Sequence, residues 1–280
     1  ELGRLEVGDQ DGAADRMMYY APYAFGTGGI DGDYKNFYNI QGNSTRVSAF
    51  GLDELFKVMD SEDATKVTYF SPRFAGFQFG ASYAPDGLGT GSPLPGTQNE
   101  IVSGTTGGLL NNSSFENFYE IGLNYVEKFG GFDIALAGEY VGASAKELGG
   151  IEFEDLSGWG VGANVGFMGF TVGGGYVQQG TGGFDSNNAN DDDNKGWNVG
   201  LQYEVGPFAV GANALFSEGE GSQAIADDNE YTAYSVGATF NLAPGFDTYI
   251  ETSLFEYDSE SGPVADNEGS VVIIGTAMEF

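Results

Sequence analysis

The chain is dominated by segments in which apolar and polar residues alternate one by one. From Tyr119 to Tyr125, every second residue is aromatic or aliphatic, and the residues between them are Glu120, Gly122 and Asn124. A period of two is typical of a β-strand whose two faces meet different surroundings. The alternation recurs along the chain and predicts twelve strands, at 2–8, 66–73, 77–84, 119–125, 132–137, 158–167, 170–176, 197–205, 208–216, 234–242, 246–254 and 272–280.

The connections between these strands alternate between short and long. The short ones are built from turn-forming residues and lie at 74–76, 129–131, 168–169, 206–207 and 243–245. The long ones are rich in Gly, Asn, Asp and Ser and lie at 9–64, 85–115, 143–156, 180–195, 218–230 and 258–269. All short turns therefore lie at one end of the sheet and all long loops at the other, which predicts an antiparallel up-and-down meander.

Composition excludes several classes of function. The net charge of -31 rules out a nucleic-acid binder that works by neutralising phosphates. The absence of cysteine and histidine removes disulfides, thiol catalysis, the usual zinc sites and histidine-based catalytic triads. No run of 18 apolar residues predicts a transmembrane helix. With 14% aromatic residues the chain is not a disordered acidic one either, so we predict a folded protein that is not an enzyme.

A meander of twelve strands has to close or be covered, because an open edge pairs with other chains. A closed barrel of that size encloses more space than side chains can fill. We therefore predict that the small polar residues line a water-filled interior and that the apolar residues face lipid. Aromatic residues near the strand ends fit the girdles of such a barrel, for example Tyr125, Trp159, Phe167 and Trp197. The alternative is a soluble sandwich or propeller with these aromatics in its core.

Three patches of the sequence resemble the general porin family of Gram-negative outer membranes, in its alphaproteobacterial type. They are the strand Leu2 to Asp9 before the longest connection, the hairpin Tyr69 to Tyr83 after it, and the terminal Phe280. The resemblance implies a single transmembrane β-barrel domain over 1–280, with an inserted constriction loop at about 9–64. Family members have 16 strands and carry this loop after the fifth, so we expect four strands to precede Glu1. A genuine barrel of twelve strands is the alternative.

The resemblance also implies a function in the outer membrane. Family members are homotrimers that let small hydrophilic solutes and ions diffuse passively, and their partners are membrane lipid and lipopolysaccharide. In such a trimer, Leu5, Val7, Val272 and Ile274 would contact neighbouring subunits. Two other functions stay open: a non-conducting structural or adhesive barrel that presents acidic loops to divalent ions, and a channel specific for one solute.

The connection 9–64 is too long for a plain loop, and loops above about 15 residues usually serve a function. We predict that it narrows the channel. Residues 51–60 carry apolar side chains at helical spacing, which predicts a short amphipathic helix with its apolar side on the inner wall. Those side chains are Leu52, Leu55, Phe56 and Met59. The carboxylates predicted to line the constriction are Asp31, Asp33, Asp53, Glu54, Asp60 and Glu62, and ordinary solvated charge is the alternative for each.

Family members oppose such carboxylates with basic residues on the barrel wall. By that resemblance the basic constriction residues are Arg4, Arg46 and Lys66, and a simple ion pair or rim charge is the alternative for each. Arg16 and Arg73 are further basic candidates. Since carboxylates greatly outnumber basic residues, we expect weak cation selectivity.

Two further acidic groups invite a chemical interpretation. Asp191, Asp192 and Asp193 suggest a calcium site in a loop, although the spacing of a known calcium loop is lacking and a solvated acidic loop is the alternative. No other cofactor is expected. Scattered carboxylates on the polar faces of strands should point to the lumen, without any companion motif for catalysis. They are Glu120, Asp133, Glu139, Glu204 and Glu251.

Overall fold

The computed structural model describes residues 2–24, 29–32, 55–87, 115–147, 150, 152–183, 186, 193–222, 225–258 and 266–278, and of residues 31, 220–222 and 225–227 it describes the backbone only. Among these residues the helical elements are α1 (Ala13–Met17) and a 3-10 turn (Gly29–Asp31). No helix in the described ranges is long and apolar enough to cross a membrane. The strands are β1 (Arg4–Asp9), β2 (Thr65–Phe70), β3 (Phe77–Asp86), β4 (Phe115–Phe129), β5 (Phe132–Ala145), β6 (Leu156–Phe167), β7 (Phe170–Gly180), β8 (Asn194–Val205), β9 (Phe208–Ser222), β10 (Ile225–Ala243), β11 (Phe246–Asp258) and β12 (Asn267–Met278).

The strands form one sheet in which each strand pairs antiparallel with the next along the chain, from β1 to β12. This confirms the predicted meander. We call the edge with the short turns the turn end and the edge with the long connections the loop end. Most strands extend further towards the loop end than alternation predicts: β10 begins at Ile225 and not at Tyr234. Backbone pairing continues there although the alternation of side chains has stopped.

The outward face carries aromatic side chains in two rows. At the turn end they pair across strands, as in Phe132–Phe167 and Phe208–Phe240, with ring centroids 4.5 and 4.6 Å apart. At the loop end Trp197 stacks on Phe216 at 4.1 Å. On β6 and β9 the two rows are eight residues apart, from Trp159 to Phe167 and from Phe208 to Phe216, which is about 26 Å at 3.3 Å per residue. A tilt of about 40° reduces this to about 20 Å, close to the height of the apolar band of an outer-membrane barrel.

The inward face differs from the sequence-based prediction at the loop end. There many inward residues are apolar, and they pack against residues of the segment between β1 and β2. One cluster joins Leu55 and Phe56 of that segment to the inward side of β9–β11. A second joins Ala14 and Val58 to β3–β7. The sequence predicted polar residues along the whole inward face. In the loop-end half, however, the segment between β1 and β2 lies where water was expected, and its own apolar side chains contact the wall.

Inward glycines mark the path of the seated segment along the wall. An added Cβ at Gly122 would lie 2.6 Å from the carbonyl oxygen of Ala13, and one at Gly200 would lie 2.7 Å from that of Pro22. At Gly162 it would overlap the carbonyl oxygen of Tyr19. These glycines lie on β4, β6 and β8, so at these three positions glycine permits the close approach of two backbones.

Replacing Gly162 by alanine should displace the segment near Tyr19, because backbone atoms cannot give way as a side chain can. We expect a local cost of about 1 to 3 kcal/mol. Hydrogen exchange of the Ala21 amide, which donates to Asn198 Oδ1 at 2.7 Å, measures it. Gly138→Ala is the matched control, since the nearest atom to its added Cβ lies 3.7 Å away. Equal exchange rates in the two variants would contradict the close approach.

Candidate functional site

The segment between β1 and β2 lies against the inward face of the sheet. We call its described parts, residues 10–24, 29–32 and 55–64, the inserted segment. Its helix α1 packs on β2, β3, β4 and β5, and the 3-10 turn packs on β9 and β10. The segment therefore crosses the interior from one wall to the other, which is the placement that the length of this connection predicted.

Polar side chains of the wall hold the backbone of the inserted segment. Ser82 Oγ accepts from the Ala13 amide at 2.7 Å, and Gln179 Oε1 accepts from the Met59 amide at 2.8 Å. Other contacts run the other way, since Thr239 Oγ1 donates to the carbonyl of Ala24 at 2.8 Å. These anchors come from strands spread over most of the sheet. The wall anchors found among the described residues include Ser82, Glu120, Asn124, Glu139, Gln179, Asn198 and Thr239.

Two of the anchors are buried carboxylates. Glu120 Oε1 accepts from the Ser61 amide at 3.2 Å and from the Ser61 hydroxyl, and Glu120 Oε2 accepts from the Ala14 amide at 3.4 Å. Glu139 Oε1 accepts from the Val58 amide at 3.4 Å. The prediction that both point inward is confirmed. Both carboxylates are buried, and because a buried carboxylate requires hydrogen-bond donors, each accepts from backbone amides of the inserted segment and does not face water.

Lys57 lies at the centre of an acidic group inside the inserted segment. Its Nζ is 3.2 Å from Asp15, 3.3 Å from Glu62 and 3.8 Å from Asp60. Burial by itself lowers the pKa of Lys57, but the carboxylates around it outweigh burial and raise that pKa above its ordinary value. Lys57 is therefore the cation that ties α1 to the end of the segment.

Asp60 differs from its neighbours because it is almost fully buried, with 1% of the residue exposed. Burial raises the pKa of Asp60 well above its usual range, Lys57 opposes this, and the nearby carboxylates of Glu62, Glu120 and Asp15 add to the rise. Its Oδ1 accepts from the Glu62 amide at 3.0 Å. The prediction that Asp60 lines the channel is thus wrong, since the side chain points into protein.

The basic face of the interior lies on β1 and α1. Glu6 accepts from Arg4 at 2.6 Å and from Arg16 at 2.5 Å, and both guanidinium groups lie over the ring of Phe70, at 5.0 and 4.6 Å. Two cations share one carboxylate, so the group carries a net positive charge. Arg4 keeps 61% of its side chain exposed and can meet a solute.

The predicted basic residue Lys66 is inward on β2 but does not present its charge. It is 2% exposed, and its Nζ donates to the carbonyl of Glu62. Glu62 itself has 53% of its side chain exposed beside Lys57. Of the predicted constriction residues, Arg4 and Glu62 are thus the described ones whose charged groups are open to solvent.

The helix predicted over 51–60 is not formed in its described part: residues 55–57 form a turn and a bend, and residues 58–60 have no regular secondary structure. The expected packing of Leu55 and Phe56 on the inner wall is nevertheless confirmed. These apolar residues need only one face, which a turn can supply as well as a helix.

Several predicted residues lie outside the described ones. They are Asp33, Asp53, Glu54, Arg46, Asp191 and Asp192, together with the side chain of Asp31. Asp193 accepts a hydrogen bond from Gln178 Nε2. Within the described ranges no group of three or more acidic residues is arranged to hold a metal ion. The calcium site therefore stays a prediction.

Sequence reasoning missed Lys57 and the uncharged anchors Ser82, Asn124, Gln179 and Asn198. One signal was present for two of them: Ser82 and Asn198 are hydrogen-bonding side chains at inward positions whose nearest inward neighbours on the strand are glycine or alanine. The lysine carried no signal, because its partner Asp15 lies 42 residues earlier in the chain.

Comparison with known proteins adds independent information. A family model described as Gram-negative porin matches residues 1–260. A protein of Rickettsia conorii, described as uncharacterized, is 22% identical over 336 residues that cover 99% of this chain and 74% of the relative.

Two solved structures share the fold. OmpT of Vibrio cholerae matches with a TM-score of 0.58 at 14% identity, over 99% of this chain and 77% of that one, and a second structure of OmpT is described as a trimer form. An anion-selective porin from Comamonas acidovorans matches with a TM-score of 0.53 at 16% identity, over 99% of this chain and 71% of that one.

Proposed function

Because this chain belongs to the Gram-negative porin family and is a β-barrel protein of the outer membrane, we propose that it forms a water-filled channel for passive diffusion of small hydrophilic solutes and ions. The mechanism is size exclusion at a narrow point, together with electrostatic selection by the charges that line it. No bond is made or broken, so the protein is not an enzyme.

The observation that carries this proposal is the inserted segment fixed across the interior. A segment held by wall side chains on β3, β4, β5, β7, β8 and β10 would narrow the lumen. Exposed charges of both signs flank it, with Arg4 on the wall and Glu62 on the segment. A passing ion would therefore meet a transverse field at the narrow point.

Weak cation selectivity is the second part of the proposal. Every lysine and arginine in the described ranges contacts a carboxylate or carbonyl oxygen, and the chain carries 41 acidic against 10 basic residues. The excess carboxylates should raise the local concentration of cations. The Comamonas acidovorans porin of similar fold is anion-selective, so the fold alone does not imply cation selectivity, and this part of the proposal rests on the excess of carboxylates.

Reversal potentials in planar bilayers test the selectivity. Across a KCl gradient we expect a cation-selective sign, and a preference that grows on dilution because the Debye length of about 8 Å at physiological salt then increases. Neutralising Glu62 together with Asp31, Asp33, Asp53 and Glu54 should weaken it. Asp60→Asn is the control and should leave it unchanged, since burial favours the uncharged form of that residue. An anion-selective sign would overturn this part.

One observation favours a second candidate, a non-conducting barrel. The loop-end half of the interior is filled by two apolar clusters that include the inserted segment. If the segment closed the lumen completely, the protein would be a structural or adhesive barrel. The same bilayers decide between the two: long-lived ohmic steps support the channel, electrical silence supports the closed barrel, and saturable block by one sugar would indicate a solute-specific channel.

The assembly and partners are also proposals. The trimer form of OmpT supports a homotrimer in which outward residues such as Leu5 and Ile274 meet neighbouring subunits. Outer-membrane lipid and lipopolysaccharide would surround the remaining outward face, with calcium at acidic loops as a possible bridge. Cross-linking of the folded protein in mild detergent tests the trimer, and a monomer that persists across detergents would contradict it.

A further inference from the structure

We infer that Glu120 is the positioning residue of the constriction: one wall carboxylate holds both flanks of the inserted segment and thereby sets how far it projects into the lumen. This inference rests on the proposed channel function and names a residue that controls it. Glu120 lies on the inward face of β4 and is 1% exposed, so it acts on a solute only through the segment that it holds.

The two flanks meet on opposite oxygens of the same carboxylate. Oε2 accepts from the Ala14 amide on the flank that leaves β1, and Oε1 accepts from the amide and hydroxyl of Ser61 on the flank that returns to β2. The stretch between Ala14 and Ser61 is therefore a loop whose base is closed at Glu120, and the other wall anchors hold points within it. Closing the base removes much of the conformational freedom of the loop.

A second tie joins the same two flanks beside Glu120. Lys57 Nζ lies 3.2 Å from Asp15 on α1 and 3.3 Å from Glu62 on the returning flank. The wall carboxylate and the lysine thus act on the same pair of chain segments from two sides. Loss of the carboxylate leaves a cross-link between the flanks and, on β4, the hydrogen bond from Asn124 Nδ2 to the Met17 carbonyl, which holds the first flank alone.

The local sequence is shaped around this carboxylate. An added Cβ at Gly12 would overlap Glu120 Oε2, so the flank can approach β4 because residue 12 is glycine. Next to it, Ser82 Oγ accepts from the Ala13 amide and lies 2.9 Å from Thr68 Oγ1, so the neighbouring wall positions are hydrogen-bonded as well.

Burial makes the attachment mutual. A buried carboxylate needs donors, and buried amide and hydroxyl groups need an acceptor, so neither partner can be separated from the other without loss. Glu139 contributes one bond, to the Val58 amide, and holds one flank only. Glu120 is therefore the wall carboxylate whose removal should free the most of the segment.

Single-channel recording of the folded protein in planar bilayers tests the inference with four variants. Glu120→Ala removes all three contacts, whereas Glu120→Gln keeps an acceptor for Ser61 and loses the one for Ala14. Ser61→Ala removes the hydroxyl contact alone. Glu204→Ala is the control, because Glu204 is an exposed inward carboxylate on β8 that accepts from Gln202 Nε2 and not from the inserted segment.

We expect Glu120→Ala to raise the open-channel current noise several-fold and to change the mean conductance by about twofold, because the eyelet then fluctuates. Glu120→Gln should show a smaller change, Ser61→Ala a smaller one still, and Glu204→Ala no added noise. If Glu120→Ala fails to fold, as judged by the heat-induced shift of the barrel on gels, the order of Glu120→Gln, Ser61→Ala and Glu204→Ala still decides.

The outcomes separate the inference from the proposed function. A silent wild-type protein would overturn the channel itself. A conducting wild type in which the Glu120 and Ser61 variants match Glu204→Ala in noise and conductance would overturn the positioning role and leave the channel in place. A graded rise of noise in the expected order supports both.

Discussion

Replacing Lys57 by methionine should lower by about 3 kcal/mol the free energy that holds the inserted segment against the barrel wall. The variant keeps a side chain of similar length but leaves Asp15, Asp60 and Glu62 without the cation between them. Breaking a buried charge cluster by removing one partner costs about 3 to 5 kcal/mol, and the low end applies because 18% of the lysine side chain is exposed.

Hydrogen exchange of two amides reports this loss. The Met59 amide donates to Gln179 Oε1 at 2.8 Å and the Ala64 amide to the Ser61 carbonyl at 2.9 Å, so both are protected while the segment is seated. In Lys57→Met both should exchange faster. Asp60→Asn is the control and should be tolerated near neutral pH, since burial favours the uncharged form of Asp60. Unchanged protection in Lys57→Met would show that the cluster is not a structural tie.

The pH dependence of the same amides follows from the two raised pKa values. Lys57 has a raised pKa, so its contribution is complete below its ordinary value of about 10.4 and is lost only in stronger alkali. Asp60 also has a raised pKa when the inserted segment lies against the wall. As the pH falls, this form therefore binds a proton at a higher pH than the form with the segment detached. Compared with the Asp60→Asn variant, the attachment of the inserted segment to the wall in the wild type should therefore become more stable as the pH is lowered towards about 4. A relative loss would show that Asp60 is charged when seated.

Replacing Leu201 by arginine should destabilise the barrel by about 2 to 4 kcal/mol. Leu201 faces outward on β8 between Trp197 of the loop-end row and Tyr203 of the turn-end row, which places it near the middle of the apolar band. An arginine there must lose its hydration or reach for the interface. Its unfolding free energy in lipid vesicles measures the cost.

Gln202→Arg is the matched control, because this neighbour lies on the same strand and points inward, where its amide donates to Glu204 Oε1. On the water-filled side an arginine stays hydrated, so the change in unfolding free energy should be small. Equal losses in the two variants would mean that the inward and outward faces have been reversed, and it would contradict the barrel in lipid.

The sequence determined the features that depend on residues close together in the chain. Alternation predicted the twelve strands seen in the described ranges and the face of the residues within the alternating segments, and the turn residues predicted which connections are short. Residues such as Leu201 and Gln202 could be assigned to opposite faces because a period of two is a local property of the backbone. The length of the connection after β1 was enough to predict a segment folded into the barrel.

The tertiary structure alone decided what the inward residues do. Glu120 is an anchor and not a free lumen charge because Ala14 and Ser61 reach it from 106 and 59 residues away. Asp60 is likewise buried by parts of the chain that are distant in the sequence. Gly162 is required because the Tyr19 carbonyl of the inserted segment lies against it, and not because it forms a turn. Contacts between distant segments leave no period in a sequence, because their register is set by packing and hydrogen bonding across the interior and not by neighbouring residues.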